Sequence, residues 1–123
     1  MRKRLKLTRI AEKITGQKAR EVTTNYVYWV KRSIRKTGNY PRKFLDKILF
    51  YFFVITTYVF YFTPTINKQG IIYIPFCFLY SENLAIRCLV HEINHYKFPK
   101  ASEEEIRFIS KDELSSWKKS LMR

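Results

Sequence analysis

Both histidines of the chain lie in the segment 88–96, which reads CLVHEINHY. His91 and His95 are four residues apart, so on an α-helix their imidazole rings project from one face, a turn apart. Two such rings can bind one tetrahedral Zn²⁺ ion, and Glu92 then lies close to the metal on a different vector. A carboxylate in that position can act as general base toward a metal-bound water, whose pKa zinc lowers toward ~7. The spacing therefore predicts a zinc-dependent hydrolytic site.

A catalytic zinc ion generally has three protein ligands and one open position. The chain contains no third histidine, so the remaining ligand is expected to be a carboxylate or, as a second choice, a thiolate. Three consecutive carboxylates, Glu103, Glu104 and Glu105, follow Pro99. Acidic residues also suit the positive N-terminal end of a helix. The pattern alone leaves the third ligand open among these residues.

Two helices are expected to carry these groups. Ser81 is a good N-cap for the helix that bears the histidines, and Pro99 ends it. Apolar residues at helical spacing between them supply its buried face. A last helix is predicted from about Ser102 to Leu121, so that the acidic triplet lies in its first turn.

A run of apolar and threonine residues without a charge, ILFYFFVITTYVFYF, occupies positions 48–62. It is shorter than the ~20 residues that a membrane-spanning helix needs, and Pro64 follows it. Because its second half is rich in β-branched and aromatic residues, we predict a helix that ends near Phe53 and a strand over Val54–Phe62. A turn at residues 67–70 and a second strand from Ile71 would complete a β-hairpin.

Positive charge is concentrated in the first third of the chain. The 24 basic and 10 acidic residues give a net charge of +14, and residues 1–47 hold 15 of the basic and 3 of the acidic ones. Two basic helices are predicted there, from Leu5 to about Ala19 and from Lys18 to Lys36, followed by a boundary at Thr37–Pro41. We therefore expect a basic helical segment over residues 1–40, a second domain over residues 41–123, and an α+β fold.

The stretch from about Val54 to Phe108 resembles the gluzincin branch of the zincin metallopeptidases. NKQGIIYIPFCFLYSENLAIRCLVHEINHY is similar to their hairpin, loop and active-site helix, and EEEIRFI to their glutamate helix. The small size is similar to that of the minigluzincins, which are minimal catalytic domains. The resemblance implies a zinc-dependent peptidase with His91, His95 and Glu105 as zinc ligands and Glu92 as general base. It also implies that an extended peptide adds to an exposed strand edge, for which Val54–Phe62 is the candidate.

Helix geometry limits the choice among the three glutamates. Consecutive residues of a helix point about 100° apart, so one of them at most can face the metal. The apolar stripe that continues through Ile109 favours Glu105, and Glu104 is the alternative third ligand.

The basic block indicates a polyanionic partner, either nucleic acid or an anionic membrane surface, bound through residues 1–47. One alternative is therefore a nucleic-acid-binding protein with a structural or vestigial HExxH motif, in which Tyr26, Tyr28 and Trp29 contact the nucleic acid. Another is a membrane-anchored zinc peptidase that uses residues 44–63. Two cysteines and the lack of a secretory leader favour the cytoplasm, with membrane association as a further option.

Overall fold

The computed structural model describes residues 2–35, 44–60 and 63–122. Within them the chain forms five α-helices and one three-stranded mixed sheet, which confirms the predicted α+β class; the zincin-like arrangement stays a prediction. The helices are α1 (Arg2–Thr15), α2 (Tyr26–Arg35), α3 (Phe44–Phe60), α4 (Glu82–Lys97) and α5 (Glu103–Leu121). The strands are β1 (Glu21–Thr23), β2 (Thr65–Ile66) and β3 (Ile71–Tyr73), and a 3₁₀ helix spans Phe76–Tyr80.

The sheet is small and has the order β1-β3-β2. β3 pairs in parallel with β1, with Val22 opposite Ile72, and antiparallel with β2, where Thr65 lies opposite Tyr73. All three residues of β3 are buried. β3 is therefore the central strand, and β2 forms one edge of the sheet.

The hydrophobic core forms where α1 and α4 pack together beside the sheet. Its fully buried members come from α1, from β3 and the residue after it, and from one face of α4. They are Leu7, Ala11, Ile72, Ile74, Ala85, Leu89, Val90 and Ile93. Burial of this face fixes α4 and turns its opposite face toward solvent.

The basic N-terminal region is built into this core. Leu7 and Ala11 of α1 are fully buried against α4, and Lys97 Nζ donates a 2.8 Å hydrogen bond to the carbonyl of Thr15. The indole of Trp29 in α2 donates to the carbonyl of Ile71, also at 2.8 Å. The predicted boundary at residues 37–41 lies outside the described residues, while the described parts on either side of it share one core.

The predicted strand Val54–Phe62 is wrong. Residues 54–60 continue α3, and residues 61–62 lie outside the described residues. Within the described residues the apolar run pairs with no strand of the sheet; as a helix it satisfies its backbone hydrogen bonds internally, and Val54 is its buried position. The hairpin instead pairs Thr65–Ile66 with Ile71–Tyr73.

The second basic helix begins later than predicted. It starts at Tyr26, and Glu21–Thr23 form a strand that the sequence pattern did not indicate. Among the described residues, no helix has both the length and the apolar character needed to cross a membrane.

Gly70, in the turn between β2 and β3, provides a test of how tightly this hairpin is held. Its φ is +84°, and a Cβ atom added there would lie 3.0 Å from Cζ of Tyr96 in α4. We expect Gly70→Ala to lower the free energy of unfolding by about 2–3 kcal/mol, since it combines a left-handed backbone with a clash.

The matched control is Gly16→Ala. Gly16 also has a positive φ, +71°, but nothing lies within 4 Å of the added Cβ atom. Gly16→Ala should lower the free energy of unfolding by roughly 1 kcal/mol, because only the left-handed backbone conformation is unfavourable for alanine there. Urea unfolding of both variants measures the difference, and equal losses would show that the Tyr96 ring moves aside freely.

Candidate metal centre

His91 and His95 lie on the half-buried face of α4, one turn apart as predicted. Ser81 caps the helix by accepting a hydrogen bond from the backbone NH of Leu84, as expected for its N-cap role. The Nε2 atoms of the two histidines are 3.0 Å apart. Both imidazoles therefore present the same nitrogen to one point in space.

The carboxylate of Glu103, in the first turn of α5, meets these two nitrogens. Its Oε1 lies 2.8 Å from Nε2 of His91, and its Oε2 lies 2.9 Å from Nε2 of His95. Within the described part of the chain, these three side chains form one group whose ligand atoms all lie within 4.8 Å of one another. Two imidazole nitrogens and a carboxylate oxygen are a donor set that zinc accepts.

Glu104 and Glu105, the residues favoured from the sequence, are not part of this group. Ser102 caps α5, accepting from the backbone NH of Glu105 while its own hydroxyl donates to Oε1 of Glu105 at 3.2 Å. This reciprocal pair ties the Glu105 side chain to the N-terminus of α5. Glu104 is exposed. The structure thus brings Glu103 to the histidines and uses Glu105 at the helix terminus.

The buried stripe of α5 explains why Glu103 faces α4. Ile106 is fully buried and Ser110 almost so, whereas Ile109 is only half-buried. Residues three and seven positions apart share a helix face, so Glu103 lies in line with Ile106 and Ser110. The three-residue spacing from Glu103 to Ile106 could have indicated the correct ligand from the sequence. The sequence-based prediction instead chose the stripe through Ile109, and therefore Glu105.

Asn94 joins the two helices beneath the site. Its side chain is fully buried, and its Nδ2 donates to Oγ of Ser110 at 3.0 Å and to Oε1 of Glu113 at 2.7 Å. A buried amide held by two partners fixes the separation and rotation of the helices that carry it. Asn94 therefore has a positioning role that the sequence pattern did not reveal.

Glu92 lies beside the cluster and has a perturbed acidity. Burial, together with the negative charge of Glu103, raises the pKa of Glu92 to about 8. A carboxyl group with a pKa near neutrality can both accept and release a proton under physiological conditions. Its surroundings therefore suit the general-base role predicted from the motif.

The pKa shifts of His91 and Glu103 favour metal binding. Burial lowers the pKa of His91, against the opposing effect of Glu103. Burial also disfavours ionised Glu103, but the adjacent His91 and His95 outweigh it and hold the pKa of Glu103 below its ordinary value. A neutral imidazole and a carboxylate are the forms that bind a metal ion.

Two clefts meet at this cluster. The first, of about 680 Å³, runs past β2 and the β2–β3 turn and is lined by residues 64–68, Tyr96 and Pro99. The second, of about 760 Å³, runs along α5 and is lined by four basic residues, Arg87, Arg107, Lys111 and Lys118. Both clefts include Pro64, His91, Glu92 and Glu103. The cluster is thus open to solvent on two sides.

The aromatic residues of α2 that were considered as nucleic-acid contacts make contacts within the protein. The Trp29 indole is hydrogen-bonded to β3, and the Tyr28 hydroxyl donates to the carboxylate of Glu21 at 2.9 Å. The Tyr26 ring packs edge-on against Tyr73, with ring centroids 4.9 Å apart. These contacts attach α2 to the sheet.

We predict that Glu103→Gln lowers zinc affinity by at least ~10-fold, since even residues that only contact a metal ligand contribute that much. Glu105→Gln is the matched control: it also removes one carboxylate, but the glutamine carbonyl can still accept the hydrogen bond from the Ser102 hydroxyl. Competition with a chromophoric chelator measures both affinities. A comparable loss in the two variants would contradict the assignment of Glu103.

A second prediction concerns the metal-free protein. Because the pKa of Glu92 is about 8 when folded and 4.5 is its ordinary value, the folded state retains a proton that the unfolded chain releases. Stability should therefore fall as pH rises from about 4.5 to about 8. Glu92→Gln removes this contribution, so the wild-type melting temperature should fall relative to the variant across that window. A constant difference would contradict the raised pKa.

No family model matches this chain, and neither a curated protein nor a solved structure does. The chemistry of the cluster therefore has to be inferred from its own side chains and their surroundings.

Proposed function

We propose that this chain is a zinc-dependent peptidase in which His91, His95 and Glu103 hold the metal and Glu92 is the general base. The supporting observation is the convergence of three donor groups at separations of 2.8–3.0 Å. Donor atoms of a tetrahedral zinc ion, with bonds of ~2.0–2.1 Å, are about 3.3 Å apart, so only a small outward adjustment is needed. Zinc, when bound, supplies a Lewis acid and a water molecule of lowered pKa.

Glu92 would move the proton. It is adjacent to His91 in sequence, is half-buried and lines both clefts, so it can reach a water or a peptide nitrogen beside the cluster without being a ligand. Beside a bound cation its pKa would fall below the value of about 8 found without one, because a positive charge favours the carboxylate. Glu92 would then be ready to accept a proton at neutral pH.

The substrate in this proposal is an extended peptide lying along β2. Val54–Phe62, the earlier candidate for this edge, is helical over its described part, whereas Thr65 and Ile66 form an edge strand that lines the first cleft. An edge strand has backbone groups free to pair with a peptide backbone, which supplies affinity with little dependence on sequence.

The second cleft suggests which side chains the substrate carries. Arg87, Arg107, Lys111 and Lys118 line it, and its acidic residues, Glu92 and Glu103, are those assigned to proton transfer and metal binding. Once these two carboxylates are offset by the metal, the cleft is strongly positive. Peptides with aspartate or glutamate near the cleaved bond fit this charge.

The nucleic-acid-binding alternative remains open for the exposed basic side chains of α1, but the α2 aromatics are already packed against the sheet. Elemental analysis of the purified protein separates the two functions. About one zinc ion per chain is expected for the peptidase, whereas a metal-free protein purified without chelator would leave the binding protein as the better description.

We predict that Glu92→Gln abolishes peptide hydrolysis while zinc content stays unchanged, because Glu92 transfers protons and does not hold the metal. Wild type and variant are incubated with a peptide mixture of random sequence, and the products are identified by mass spectrometry. Products should show acidic residues near the cleaved bond. Glu104→Gln is the control and should retain activity, because it also removes one carboxylate but at an exposed position outside the cluster. Loss of zinc from Glu92→Gln would refute the assigned role.

A further inference from the structure

α3 exposes an unusually apolar surface. Seven large side chains, each at least 50% exposed, form the apolar arc: Phe44, Leu45, Ile48, Leu49, Phe52, Phe53 and Ile55. At 100° per residue they cover about 180° of the helix circumference, and no charged position of α3 falls between them. Val54, on the opposite side, is buried. Among the described side chains of α3, Val54 is thus the buried position, and the arc faces solvent.

The arc is larger than isolated surface residues account for. At ~150–250 Å² for a whole aromatic side chain, the exposed parts of the three phenylalanines alone amount to on the order of 400 Å², and four exposed leucine and isoleucine side chains add to this area. The largest apolar patch of a typical monomer is roughly 300–600 Å², and patches above this range mark interaction sites. The apolar arc is thus expected to be covered by a partner.

Positive charge borders one edge of the arc. Lys47 is exposed, and Nζ of Lys31 lies 5.3 Å from the ring centroid of Tyr51, next to the arc on α3. The sequence also places Arg42 and Lys43 directly before Phe44, and Asp46 is the single acidic residue of α3. Apolar side chains flanked by lysine and arginine are the pattern of helices that lie in a membrane interface.

From this arrangement we propose that α3 docks this protein onto an anionic membrane surface, with the apolar arc in the acyl region and the flanking cations at the headgroups. A second copy of the chain is a poorer occupant, because each copy carries a net charge of +14 and the lysines would face each other. Nucleic acid is poorer too, since it presents phosphates and not an apolar surface to a protein that approaches its backbone.

Docking through α3 would also hold the clefts close to the lipid. Phe60 ends α3 and Thr63 lines the second cleft, so the chain between them spans at most ~11 Å. The membrane inference itself does not rest on the proposed peptidase function, because none of the cluster residues takes part in it.

Flotation with lipid vesicles tests the proposal. The full chain should bind vesicles of phosphatidylcholine and phosphatidylglycerol in equal amounts, bind vesicles of phosphatidylcholine alone far more weakly, and dissociate from the former as salt is raised. The double variant Ile48→Glu with Phe52→Glu should lower the partition coefficient by ~10-fold or more, since it places two anions against the lipid. Phe108→Glu, on an equally exposed phenylalanine of α5, is the matched control and should reduce binding much less.

A conservative variant keeps the test decisive if the double variant does not fold. Phe52→Trp should show a blue-shifted emission on addition of anionic vesicles and quenching by brominated lipids, whereas Phe108→Trp should show neither, with the wild-type signal of Trp29 and Trp117 subtracted. Lack of vesicle binding at low salt overturns the proposal. So does equal loss in Phe108→Glu. Dimerisation, or duplex DNA binding, that Ile48→Glu with Phe52→Glu abolishes would assign the arc to that partner and likewise overturn it.

Discussion

The buried amide of Asn94 is the contact on which the candidate metal centre depends. Both of its hydrogen bonds reach α5, to Ser110 and Glu113, from the α4 position directly before His95. Buried polar groups have strict geometric requirements, so this contact selects one rotation of α5 on α4 where an apolar contact would tolerate several. Ile106 packs under the same interface. That rotation carries the first-turn carboxylate of Glu103 to the two histidines.

The N-terminal third of the chain supports the site from the other side of α4. Leu7 and Ala11 bury the face of α4 opposite the histidines, and Lys97 at the end of α4 binds the carbonyl of Thr15 at the end of α1. A cation there offsets the unpaired carbonyls of a helix C-terminus. The apolar side of α1 is therefore part of the core, although the helix also carries many basic residues.

The apolar surfaces of α3 and α4 differ in whether other residues cover them. The apolar face of α4 is covered, whereas that of α3 is exposed beside Lys31 and Lys47. Leaving large aromatic side chains in water is unfavourable by roughly 1.5–3 kcal/mol for each, relative to burial. The core is well packed, so the exposed surface of α3 is not explained by poor packing in general. Its unfavourable free energy is the physical reason to expect a partner at that helix.

What the sequence determined by itself were the features fixed by local contacts: the α4 helix between the Ser81 cap and Pro99, the placement of His91, Glu92 and His95 on it, and the acidic start of α5. These follow from capping and helical periodicity, which involve residues within a turn of each other. Tertiary structure decided the rest. Glu103, and not Glu105, lies beside the histidines because the buried stripe of α5 runs through Ile106. Residues 54–60 continue α3, which buries Val54 and pairs with no strand of the sheet. Which side of a helix is buried, and whether a strand finds a partner, depend on residues distant in sequence, so no local pattern could have supplied either answer.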